Sequence, residues 1–140
     1  MRTVLDAYAL IAFLLDEPAA GDVERLLRDG DAAITSINFA EVLDRLIRGR
    51  SMPREAVQST LASVLEARVE RIDVDLRLAS AAAFLRATHY DRAQRPLSLA
   101  DCVCLAAARR GDRVATADGP ILETAHAEGI ATVPLASPAA

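Results

Sequence analysis

The chain has 140 residues, of which 52% are hydrophobic and only 4% aromatic, and it carries a net charge of −4. This suits one domain with a full core, and the Ala-, Leu-, Val- and Ile-rich mixture favours an α/β or all-α architecture over a β-sandwich. No apolar run reaches the roughly 18 residues of a membrane span, no small-residue cleavage site follows the apolar start that Asp6 interrupts, and the acidic balance argues at first against nucleic acid.

Read along the chain, Thr3 to Leu5 predicts a short strand ending at Asp6, and Ala7 to Leu15 a helix. Asp16, Glu17 and Pro18 break it, and a second helix runs from Ala19 to Arg28 and stops at Gly30. Ala32 to Thr35 reads as the second strand. Ser36 and Asn38 are candidate caps for a helix through Glu41 to Arg48, ended by Gly49, and Pro53 opens the next helix. Val69 to Val74 is a third strand, Leu76 to Ala87 a helix, and His89 to Leu97 the longest expected loop. Ser98 opens a helix over Leu99 to Arg110. Val114 to Thr116 is a fourth strand, Gly119 and Pro120 start a short helix ending near Gly129, and Ile130 to Val133 is a fifth strand. Residues 1–134 read as a single domain and 135–140 as a loose tail. Strands separated by helices imply parallel pairing with right-handed crossovers.

That order brings four acids to the carboxyl ends of the strands, where open α/β sheets bind ligands: Asp6, Glu41, Asp101 and Asp118. Each has a structural alternative. Asp6 and Asp118 suit helix caps or turns, Asn38 to Glu41 has capping spacing, and Ser98-Leu99-Ala100-Asp101 fits the capping box. Yet all four lie beside apolar runs, where an ionised acid needs a partner. All sixteen basic residues are arginine, none a lysine, and none lies directly beside these acids in sequence. Carboxylates gathered without cations repel unless they protonate or bind metal, so the constellation reads as a divalent-metal site of the kind that handles phosphate. Neutralising the four acids would bring the net charge to zero.

The other reactive residues read blandly. Cys102 and Cys104 point to different faces of a helix and suit small buried hydrophobes in a reducing cytoplasm. His89 and His126 offer a metal-free acid–base route that would leave a cyclic phosphate and survive chelator. A receiver domain needs a lysine that the chain lacks. An aspartate-nucleophile phosphatase would want a second aspartate where Tyr8 stands.

Four blocks in order resemble the PIN-domain ribonucleases, specifically the VapC-type toxins of toxin–antitoxin pairs: Val4-Leu5-Asp6-Ala7-Tyr8 onward to Pro18, Thr35-Ser36-Ile37-Asn38-Phe39-Ala40-Glu41-Val42, Leu97-Ser98-Leu99-Ala100-Asp101-Cys102, and Val114-Ala115-Thr116-Ala117-Asp118. The resemblance spans almost the whole chain. It implies a three-layer α/β fold with a central parallel sheet of about five strands between helices. It implies one or two Mg²⁺ or Mn²⁺ ions surrounded by Asp6, Glu41, Asp101 and Asp118, with Asn38 and Thr116 supporting them by hydrogen bonds. Asp6 and Asp101 are then the direct ligands, Glu41 a ligand or the group that positions water, and Asp118 a ligand of a second, weaker metal. Tyr8 departs from the family, many of whose members carry a small polar residue there.

The resemblance also implies hydrolysis of RNA to 5′-phosphate and 3′-hydroxyl ends, an antitoxin partner that covers the site, and a homodimer. Apolar residues of Ala19 to Leu27 and Ile37 to Ile47 are candidates for antitoxin contact. Arg45, Arg48, Arg50, Arg92 and Arg95 are candidate RNA contacts at the rim. The rival reading is a non-catalytic RNA- or protein-binding module of the same fold.

Overall fold

A computed structural model describes residues 1–138. Five strands form one sheet in the order β3-β2-β1-β4-β5: β1 Thr3–Leu5, β2 Ala32–Thr35, β3 Val69–Ile72, β4 Arg113–Thr116 and β5 Ala131–Pro134. Every pairing is parallel. Seven helices connect them: α1 Ala7–Leu14, α2 Ala20–Asp29, α3 Ser36–Asp44, α4 Arg54–Arg68, α5 Leu76–His89, α6 Leu99–Ala107 and α7 Gly119–Ala127.

Strand alternation divides the core in two. Leu5, Ile34 and Ala115 pack with α1 to α4, whereas Val4 and Val114, their neighbours in the strands, pack with α5, α6 and α7. Because each central strand is buried on both faces, the strands read as continuous apolar runs rather than alternating ones. The result is the three-layer α/β architecture that the family resemblance implied. The chain leaves β1 toward β2 and β3, then returns to place β4 on the other side of β1. The switch point therefore lies at the carboxyl ends of β1 and β4, where such sheets open a crevice.

Some boundaries differ from the sequence expectation. Neither Ser36 nor Asn38 caps α3: Thr35 does, its hydroxyl accepting from the Asn38 amide at 3.1 Å. The α-helix stops at Asp44 and continues as a π-helical turn, Arg45–Gly49. β3 ends at Ile72 because the Val74 amide turns to the Ser36 hydroxyl at 3.3 Å. α6 ends at Ala107, short of Arg110, where the Arg2 guanidinium donates to the Ala107 carbonyl at 3.0 Å and satisfies the helix end. Within the segment expected as a loose tail from residue 135, the Leu135 side chain is buried in the core. Ala139 and Ala140 lie outside the described residues. Among the described residues no helix is long and apolar enough to cross a membrane.

Candidate metal and nuclease site

Asp6, Glu41, Asp101 and Asp118 line one cleft of about 220 Å³, together with Ala7, Tyr8, Arg45, Ala117, Ile121 and Pro138. The helix caps that offered a bland explanation of three of these acids are real. They are also the means of delivery. Asp6 leaves β1 and caps α1, Oδ1 accepting from the Ala9 amide at 2.9 Å. Asp118 follows β4 and caps α7, accepting from the Ile121 amide at 3.2 Å. Asp101 forms a capping box with Ser98: its Oδ2 accepts from the Ser98 amide at 2.8 Å, and the Ser98 hydroxyl accepts from the Asp101 amide at 3.0 Å. Glu41 is the exception, since it reaches back to no cap and instead pairs with Arg45 one turn on, at 3.2 Å.

Two polar side chains tie the elements together. Thr116 donates its hydroxyl proton to Asp6 Oδ2 and accepts from the Asp118 amide at 3.0 Å, so one residue orients both acids. The Asn38 carboxamide accepts from the Thr35 hydroxyl at 2.6 Å and donates to the Ala100 carbonyl at 3.4 Å, which joins α3 to the start of α6. Thr116 thus bonds Asp6 directly, whereas the hydrogen bonds of Asn38 run to Thr35 and Ala100.

The electrostatics are strained. Burial lifts the Asp6 carboxyl to about 6, and the charges of Asp101 and Asp118 push the same way against the bonds from Thr116 and Ala9. Glu41 is raised first by burial and then by Asp101, with Arg45 and the Asn38 side chain opposing. Asp118, at the rim, is raised by desolvation and by Asp101. One buried oxygen, Glu41 Oε1, has no partner at hydrogen-bonding geometry among the described residues. The acids share a cleft, yet among the described residues no three His, Cys, Asp or Glu side chains stand ready-made around a single ion.

The candidate arginines separate. Arg45 lines the cleft. Arg48 is engaged with Asp44 at 2.8 Å, and Arg50 with Glu17 at 3.4 Å. Arg95 lies 3.1 Å from His89 Nδ1 and 3.7 Å from Glu123. Arg92 is exposed on its loop. Neither histidine lines the cleft; His89 sits between Arg95 and Glu128, 3.0 Å from the latter. Both cysteines are free and buried, and burial together with Asp101 holds the Cys102 thiol up at about 11, which makes it unreactive. A larger cavity of about 440 Å³ lies between α3, α4 and β3, but Phe39, Leu43, Ala62 and Leu65 make it mostly apolar. Sequence reasoning passed over Thr35, a cap that looks like the end of a strand, and Pro138, whose place in the cleft no local pattern signals.

Residues 3–127 match the family model described as the PIN domain. No curated protein matches the chain. Among solved structures, the chain is similar to VapBC2 from Rickettsia felis bound to a DNA fragment from the promoter, at 19% identity and a TM-score of 0.70, covering 97% of this chain and 100% of that one. DNA-bound VapBC from Salmonella typhimurium gives 19% identity and a TM-score of 0.70, covering 96% and 98%. A toxin–antitoxin complex from Klebsiella pneumoniae gives 18% identity and a TM-score of 0.58, covering 83% and 86%. At these identities the likeness is one of fold.

Proposed function

The chain belongs to the PIN domain family, and on that footing we propose that it is a metal-dependent endoribonuclease acting as the toxin of a toxin–antitoxin pair. One observation carries the reading: Glu41 Oε1, buried and without a partner at hydrogen-bonding geometry among the described residues, shares a cleft with three further carboxylates and, among those residues, one lining arginine. A structural cluster would satisfy that oxygen. An all-oxygen donor set with excess negative charge fits a hard divalent cation, Mg²⁺ or Mn²⁺, which retains waters and so does not require every carboxylate in direct contact.

Asp6 and Asp101 would hold the ion, with Glu41 as a further ligand or the group that orients the attacking water, and Asp118 at a weaker second position. When bound, the ion supplies an acidified water and charge neutralisation for in-line phosphodiester hydrolysis. Thr116 fixes the Asp6 carboxylate by its hydroxyl, and Asn38 holds α3 against α6, so the donors stay aligned. Arg45 and Arg92 are the arginines best placed to grip RNA phosphates.

The toxin role rests on the VapBC and toxin–antitoxin complexes that share the fold. A homodimer suits α5, whose Leu76 and Phe84 side chains are 87% and 72% exposed.

The decisive experiment is cleavage of a structured RNA by the purified, partner-free chain with Mg²⁺ or Mn²⁺, then with EDTA, beside Asp101→Asn. Asparagine can still accept from the Ser98 amide, so the capped helix survives the change. Metal-dependent cleavage that the variant lacks supports the reading, and cleavage that survives both treatments sinks it. A second reading, a non-catalytic binding module, draws on the same caps, because Asp6, Asp101 and Asp118 each have a structural task. Calorimetric titration with Mn²⁺ separates the two, since a relict site takes up no metal.

A further inference from the structure

The segment after β5 reaches the carboxylate cleft, and a tyrosine hydroxyl is among its ties there. The Leu135 amide donates to the Thr116 carbonyl at 2.9 Å, which carries the β4–β5 pairing past Pro134. The Leu135 side chain is buried. One residue on, the Ala136 carbonyl accepts the Tyr8 hydroxyl at 3.0 Å, a bond between positions 128 apart in sequence. Pro138 then lines the cleft that holds the acids. Tyr8, half-buried, is itself part of that wall.

Chain ends that lack such ties fray. Here the tie comes from the residue two positions after Asp6, so the geometry of the acid and that of the terminal segment are set by the same turn of α1. The cleft, at about 220 Å³, is smaller than the roughly 300 Å³ of an ordinary small-molecule pocket. Losing one wall therefore removes much of its confinement.

We infer that Tyr8 is a positioning residue whose hydroxyl latches residues 135–138 across the mouth of the cleft, making that segment a wall against which the RNA strand is held. This deepens the nuclease reading and rests on it for the identity of the substrate. The side chain acts through Ala136 and Pro138 rather than on the reacting atoms. Its loss therefore weakens substrate binding more than turnover.

The test is Tyr8→Phe, which keeps the ring and removes only the hydroxyl. Hydrogen exchange at the Leu135 amide, which donates to the Thr116 carbonyl beside the latch, is expected to quicken about fivefold, the size of one net hydrogen bond; equal exchange in the two proteins overturns the latch. With an RNA oligonucleotide and Mg²⁺, KM is expected to rise about fivefold while kcat stays within about twofold. Pro138→Ala, which trims the wall directly, raises KM in the same direction. Because both changes open one wall, the double variant should lose no more than the worse single. An unchanged KM in Tyr8→Phe, or fully additive losses, overturns the wall. Should the wild-type chain cleave no RNA in metal, the nuclease reading falls and the substrate half of this inference with it, while the exchange comparison still decides the latch.

Discussion

The two ends of the sheet treat the same side chain in opposite ways. At the amino ends of the strands, Asp112 is matched: the Arg2 guanidinium reaches it at 3.0 Å, and the Arg109 amide donates to it at 2.8 Å. Burial opposes its charge, but these partners outweigh burial and hold the carboxyl below its ordinary range. Nearby, Arg113 donates to the Thr3 hydroxyl at 3.0 Å, and Arg2 also reaches Glu70 at 3.2 Å. At the carboxyl ends, Asp6 is more deeply buried and faces Asp101 and Asp118 instead of cations, and burial first, then those charges, lift its carboxyl to about 6. A compensated carboxylate stabilises the fold. An uncompensated cluster is a strain that the fold tolerates at a functional site.

The largest effect that would break this contrast is on chemistry. Asp6→Asn and Asp101→Asn should each lower metal-dependent RNA cleavage by roughly 1,000-fold, the scale of losing several kcal/mol of charge stabilisation. Arg2→Ala, at the opposite end, should leave cleavage per folded molecule unchanged. It should instead cost about 2 kcal/mol of unfolding free energy by stranding Asp112, as measured by urea denaturation. Equal losses of activity in the two sets would erase the distinction.

Titration sharpens it next. The folded metal-free chain holds a proton on Asp6 that the unfolded chain releases at lower pH, so the folded state binds more protons across that window. Stability should fall as pH rises from 3.8 to about 6, by at most roughly 3 kcal/mol from this group. The term is present below the unfolded pKa and lost above the folded one. Asp112 has the opposite sign: its lowered carboxyl contributes stability near neutrality that is lost on acidification. Denaturation in EDTA across this range, for wild type and Asp6→Asn, checks the sign, because the variant should lose the share of the fall due to Asp6 and keep only that of the other raised acids, Glu41 and Asp118. Millimolar Mn²⁺ should restore stability above pH 6 in the wild type alone.

Smaller effects separate residues within the cleft. Thr116→Val removes the hydroxyl that orients Asp6 and should weaken Mn²⁺ binding about tenfold by calorimetry. Arg92→Ala should weaken RNA binding and reduce the salt slope by about one ion. Arg48→Ala and Arg50→Ala, whose guanidinium groups are already engaged by Asp44 and Glu17, should leave that slope unchanged.

Much of this was legible in the chain as written. Short apolar runs ended by Asp6, Thr35 and Thr116 mark three of the strands, and Ser98-x-x-Asp101 marks the start of α6. Local signals of this kind act over three or four residues, and the structure respects them. Placement of the four acids at strand ends and helix starts follows from the same signals. Element ends were less legible, because they depend on long-range partners: Arg2 stops α6 from across the sheet, and Ser36 turns the chain after β3.

The succession of strands and helices along the chain, the helix starts and the absence of a basic residue beside any of the four acids in sequence are properties of the sequence by itself, set by apolar periodicity, capping chemistry and composition. Tertiary structure alone decided which acids are orphaned and which compensated, since the partners stand far apart in the chain: Thr116 bonds Asp6 across 110 positions, Asn38 reaches Ala100 across 62, and Tyr8 reaches Ala136 across 128. No local pattern encodes those distances. They arise when β1 is enclosed between β2 and β4 and the carboxyl ends of the strands are brought to one crevice.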